Sequence, residues 1–141
     1  MKYAARILTL VVMMTPLLAS AQLTSNQKLA ADIPFQFRVG NTLIPAGKCI
    51  VQRAGVDPRT LVILNSSSGA SLFSSSTMGN VKEASKTNAM VFHKYGNRYF
   101  LAGVKVEGSN IVYKLPEGRA EAELRAQNIP AGEETLLALL Q

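Results

Sequence analysis

Cysteine occurs once in the 141 residues, at Cys49, so no internal disulfide staples the chain. Histidine also occurs once, at His93. One imidazole and one thiol make two soft ligands, fewer than the three or four of a zinc site, and the sequence indicates neither a metal nor a cofactor. Serine and threonine crowd residues 65–77, but none sits in a G-x-S-x-G turn, and there is no P-loop or G-x-G-x-x-G. Basic side chains nowhere form a dense run, which weighs against a nucleic-acid surface. The longest N-terminal apolar run, residues 7–18, falls short of the about 20 residues a membrane-spanning helix needs.

That short run nevertheless has a setting. Lys2 and Arg6 precede it, Pro16 breaks it near its end, and Ala19-Ser20-Ala21 places small side chains at the −3 and −1 positions of a signal-peptidase site. Residues 1–21 therefore read as a cleavable secretory signal peptide. Gln22 stands where a lipoprotein would carry cysteine, so the expected product is released, periplasmic or extracellular. Cys49 reads as a small buried hydrophobe.

Cleavage after Ala21 leaves one domain-sized chain. Its charge is uneven: residues 22–114 hold 11 basic and 4 acidic side chains, whereas residues 115–141 hold 2 basic and 5 acidic. A basic body with an acidic tail suits a tail that folds back on the body.

From Ile33 to Asn110 the apolar residues recur with period two between turn signals. Ile33, Phe35, Phe37 and Val39 predict one strand, followed by a Gly40-Asn41 turn with glycine at the positive-φ position. Pro45-Ala46-Gly47 turns into a strand at Lys48 to Arg53, with Cys49 and Val51 on one face. Leu61 to Leu64 predicts a strand buried on both faces, and Ala70 to Ser75 a polar-faced one. Thr77 to Asn88 reads as the longest loop. Gly96-Asn97 closes the clearest hairpin, pairing Tyr95 with Arg98, Lys94 with Tyr99, His93 with Phe100 and Phe92 with Leu101. Strict alternation places Val104 on the His93 face and Lys105 on the Phe92 face. After Pro116, Arg119 to Gln127 is rich in helix formers, with Glu121 and Arg125 spaced to pair. Residues 128–141 form a short apolar tail that reads as helical for a turn or two. The expected fold is mainly β: a small antiparallel barrel or sandwich of seven to eight short strands, with a C-terminal helix, over residues 22–127.

Two stretches carry a resemblance. Ile33-Pro34-Phe35-Gln36-Phe37-Arg38-Val39-Gly40 with Leu43-Ile44-Pro45-Ala46-Gly47, and Met90-Val91-Phe92-His93-Lys94-Tyr95-Gly96-Asn97-Arg98-Tyr99-Phe100-Leu101, resemble a group of small exported bacterial proteins. These share an IPFxFxVG…LPAGxYxV opening, an LVFHxYGxxYFL hairpin and a charged C-terminal helix. The similarity covers roughly residues 31–127 and departs at Cys49, where the group usually has an aromatic residue. It implies export and a compact β fold, and it supplies no catalytic residue.

The candidate site is the hairpin tip. His93, Tyr95 and Arg98 share one face, Lys94 and Tyr99 the other; interleaved cations and aromatics suit a protein or glycan partner. As a general base, His93 would want an orienting carboxylate, and Asp32, Asp57, Glu83 and Glu107 are all remote from it in sequence. The bland alternative is a structural histidine packed across from Phe100 and bonded to backbone. The leading expectation is a non-enzymatic exported binding or structural protein. A small outer-membrane β-barrel and an enzyme using His93 stand behind it. Against the barrel, the strands are shorter than the about 9–11 residues of a tilted span.

Overall fold

The computed structural model describes residues 27–141; the segment read as a signal peptide lies outside them. In chain order the strands are β1 (Lys28–Ile33), β2 (Phe37–Val39), β3 (Thr42–Ile44), β4 (Gly47–Arg53), β5 (Thr60–Asn65), β6 (Ser71–Ser75), β7 (Thr77–Asn80), β8 (Ala89–Tyr95), β9 (Arg98–Lys105) and β10 (Ile111–Lys114). Helix α1 (Arg119–Ala126) follows, then β11 (Gly132–Leu137) and β12 (Leu139–Leu140). Five strands form one sheet in the order β12-β1-β4-β5-β6. The other runs β11-β8-β9-β10-β7, with β2 added to the first half of β9 in parallel and β3 paired to β2. The protein is thus a mainly β sandwich with a helix in its C-terminal part. Among the described residues the sheets do not close into a barrel, so of the two expected architectures the sandwich is the one formed.

Each flank of the sandwich is turned by one buried residue. At Ser76 the chain passes from β6 in one sheet to β7 in the other, held by Ser76 N and Oγ donating to Arg59 O at 2.7 and 2.6 Å. At Ala138 it passes from β11 back to β12, with Ala138 N donating to Asn88 O at 2.8 Å. The core lies between the sheets, where Leu29, Cys49, Val51 and Ile63 meet Phe37, Phe92, Met90 and Tyr113. Alternation along β4 and β5 puts Cys49, Val51, Leu61 and Ile63 inside. Val62 and Leu64 keep partial exposure on the outer face, so β5 is fully buried on one side where two were expected.

Four further expectations are corrected. The strand predicted from Ile33 to Val39 is broken at Pro34–Gln36, and its halves lie in different sheets. Proline has no N–H to continue the β1 ladder, and Phe35 instead stacks on Tyr99 at 3.7 Å and meets Phe92 edge-on at 5.2 Å. The expected loop 77–88 begins as β7, paired with β10. Residues 132–140, expected to be helical, are strands: β11 runs along β8 and β12 along β1, because backbone pairing at two open edges outweighs a weak local helix preference. The fourth concerns β9. The hairpin register from Tyr95↔Arg98 to Phe92↔Leu101 is as predicted, but Val91 then pairs with Gly103, leaving Ala102 as a bulge. Uninterrupted alternation would send Gly103 and Lys105 inward, burying a charge. The extra residue instead points Leu101, Val104 and Val106 into the core and reverses the expected faces of Val104 and Lys105.

Candidate functional site

The outer face of the larger sheet carries α1 across the β8–β9 hairpin. Leu124 packs on Tyr95 and Phe100, flanked by Ala120 and Ile129, as a cluster apart from the main core. The start of α1 is fixed from elsewhere. Gly118 supplies no cap of its own, and Asn41, from the β2–β3 turn, accepts from Arg119 N through Oδ1 at 2.8 Å. Gly40 and Gly118 touch so closely that a Cβ at Gly118 would overlap the Gly40 carbonyl. A cap borrowed across 78 residues thereby sets where the helix begins.

This placement brings Glu121 down onto the sheet. Leu124 and Glu121 are three residues apart, hence on one helix face, and Glu121 is 5 % exposed. Its Oε1 lies 2.6 Å from His93 Nδ1 and 3.4 Å from the Tyr95 hydroxyl. A carboxylate accepts, so Nδ1 carries the proton and Nε2 is the ring's other nitrogen. Burial and the Glu121 charge push the Tyr95 phenol above its ordinary pKa, so Tyr95 remains a neutral donor. Glu121 Oε2 takes no hydrogen bond from any described residue. The expected Glu121–Arg125 pair is not formed: Arg125 bonds Glu117 at 2.9 Å, and Arg119 bonds Glu123 at 3.1 Å. The carboxylate that His93 lacked in sequence thus comes from the helix, 28 residues away, and replaces the backbone partner expected for a structural histidine.

Beside this cluster the sheet is open as a groove of about 460 Å³, within the range of small-ligand sites. Its apolar floor is Val91, Ala102, Gly103 and Val112, extended by Val81 and Leu115. Glu133, opposite His93 on β11, lies at one side. Lys114, opposite Gly103, and Lys105, opposite Val112, lie at the other. Neither lysine has an acidic partner among the described residues.

The five residues singled out at the hairpin tip do not form one site. His93 and Tyr95 line the groove, while Arg98 lies over the Phe100 ring at 5.9 Å. Lys94 and Tyr99 are on the opposite side of the sheet, where Phe35 covers the Tyr99 ring and Lys94 Nζ sits 5.4 Å from its centroid. The cation–aromatic pairs are therefore internal packing. The residues missed were Glu121, Glu133, Lys105 and Lys114. The i, i+3 spacing of Glu121 to Leu124 was a usable signal for the first, whereas the lysines and Glu133 depend on the bulge and on β11. Cys49 is fully enclosed, and burial pushes its thiol up to about 11, which leaves it an inert core group. Among the described residues no three of His, Cys, Asp and Glu are placed to hold a metal ion.

Compared with protein families, curated proteins and solved structures, the chain matches none.

Proposed function

We propose that this is an exported, non-enzymatic binding protein of the periplasm or cell exterior, and that it binds its partner in the groove beneath α1. The observation that carries the reading is Glu121: a buried carboxylate, steadied through one oxygen by His93 and Tyr95, with the other oxygen uncommitted at the wall of an apolar groove. That oxygen reaches solvent at the groove wall, where a ligand donor can take the place of water. Export is supported by the order of charge, apolar run and small residues over positions 1–21 and by the resemblance to exported bacterial proteins. A protein or glycan partner fits that compartment; a peptide segment suits the narrow apolar floor better than a sugar, because no exposed aromatic ring lines it.

Two measurements test this. N-terminal sequencing of the chain from the exported fraction of a bacterial host should begin at Gln22, and recovery only as full-length cytoplasmic chain rejects export. Titration of the purified chain with 8-anilinonaphthalene-1-sulfonate should shift amide resonances of Val91, His93, Gly103 and Val112. Absence of shifts there, or shifts confined to the five-stranded sheet, rejects the groove as the binding site.

The His93–Glu121 contact favours one second reading, an enzyme with His93 as general base and Glu121 as its orienting partner. Among the described residues no Ser, Thr or Cys lines the groove, so water would be the nucleophile. Any hydrolytic activity that survives His93→Ala removes this reading.

A further inference from the structure

Resting on the groove as the binding site, we infer that its ligand is a short extended peptide with free termini, lying across the sheet with its ammonium end at Glu121 and Glu133 and its carboxylate end at Lys105 and Lys114. The register fixes the layout. Glu133 pairs with His93, and the next row inward runs Thr135–Val91–Gly103–Lys114 across β11, β8, β9 and β10. Acidic groups therefore stand on the β11–β8 side and cationic groups on the β9–β10 side. The remaining groove charges, Arg125 and Glu117, neutralise one another at 2.9 Å.

The backbone positions of Glu133 and Lys114 are three strand spacings apart, about 14 Å, an interval that an extended chain of about four residues spans; Glu121 and Lys105 stand between them, and the Lys114 stem runs outward over Gly79 of β7. Between the two ends the floor offers only small apolar contacts, and at Gly103 a side chain would crowd the Tyr113 carbonyl at 3.3 Å and Val112 on the neighbouring strand. Glycine within a strand and a bulge beside it are features of close backbone approach. A dipolar ligand satisfies both ends at once: its ammonium donates to Glu121 Oε2, and its carboxylate accepts from lysines that have no acidic partner among the described residues. A fatty acid would leave the acidic end unanswered, and an amine would leave the lysines so.

Tetra-alanine, its N-acetylated form and its C-amidated form, titrated into the purified chain and followed by amide shifts, test the inference. Free tetra-alanine should shift Val91, His93 and Gly103 and bind at least tenfold more tightly than either blocked form. Lys114→Gln should bring the free peptide to the level of the amidated one, and Glu133→Gln should weaken it towards the acetylated one; both positions are surface side chains of the groove rim. Equal binding of all three peptides overturns the inference. So does binding of 8-anilinonaphthalene-1-sulfonate at these amides without any peptide binding, an outcome that leaves the groove itself standing. If neither probe shifts these residues, the inference and the groove reading fall together.

Discussion

Glu121 is the residue on which the two sides of the groove depend. It holds α1 to the sheet through His93 and Tyr95, so Glu121→Ala is expected to cost about 1–3 kcal/mol, the usual penalty for leaving a buried donor without its acceptor. Tyr95→Phe on that background should cost less than it does alone, because both changes remove one contact. Urea unfolding of the four proteins in the cycle measures this, and simple additivity would show that the two side chains do not interact. Cys49 makes a separate prediction. Its thiol titrates from an ordinary 9.0 to about 11 in the fold, so the unfolded chain releases the proton first. The associated stability is present below pH 9 and is lost as pH rises through about 11, an amount on the order of 3 kcal/mol at 1.36 kcal/mol per unit. Tyr95 is raised as well and adds a loss in the same direction at higher pH. Unfolding of wild type and Cys49→Ala between pH 8 and 11 separates the two, the variant being flatter between 9 and 11.

At the scale of elements, the borrowed cap and the bulge decide where the groove lies. Asn41→Ala removes the side-chain acceptor at the start of α1 and should lower stability by about 1 kcal/mol, with faster amide exchange in the first helical turn. Deleting Ala102 takes out the unpaired residue and leaves Gly103 opposite Val91 and Lys105 opposite Ala89, so the shortened chain should fold with Val104 still in the core; Ala102→Ser should fold normally as well. A deletion variant that fails to fold, or that lacks native near-ultraviolet dichroism, would contradict this account of β9. These elements also mark how far the sequence is legible. The β8–β9 turn and its register follow from Gly96-Asn97 and alternation, and the α1 span follows from composition after Pro116. The break at Pro34 is readable as a fault in a strand, but the change of sheet is set by packing of Phe35 against Tyr99 and Phe92. Residues 132–140 have no strong local preference and become strands only because β8 and β1 present open edges to them. The groove divides in the same way: His93 and Tyr95 are legible on one face, while Glu121, Glu133 and the two lysines reach it only through a helix, an edge strand and a bulge.

Across the whole molecule, the sandwich is turned at Ser76 on one flank and Ala138 on the other, so the chain edges both sheets without closing them. The acidic final segment returns to the basic body as the sequence suggested: α1 delivers Glu121, the loop before it Glu117, and β11 Glu133, to a sheet face that already holds Lys105 and Lys114. What results is a groove of two signs rather than a neutralised surface, and the proposed task of the chain is to hold a ligand there. The most direct measurement is an isotope-filtered NOE experiment on the labelled chain with unlabelled tetra-alanine. The account predicts contacts from the peptide methyls to the methyls of Val91 and Val112 and to the α-protons of Gly103. Contacts to Phe73 or Leu137 in their place, or none at peptide concentrations that saturate the shifts, would contradict it.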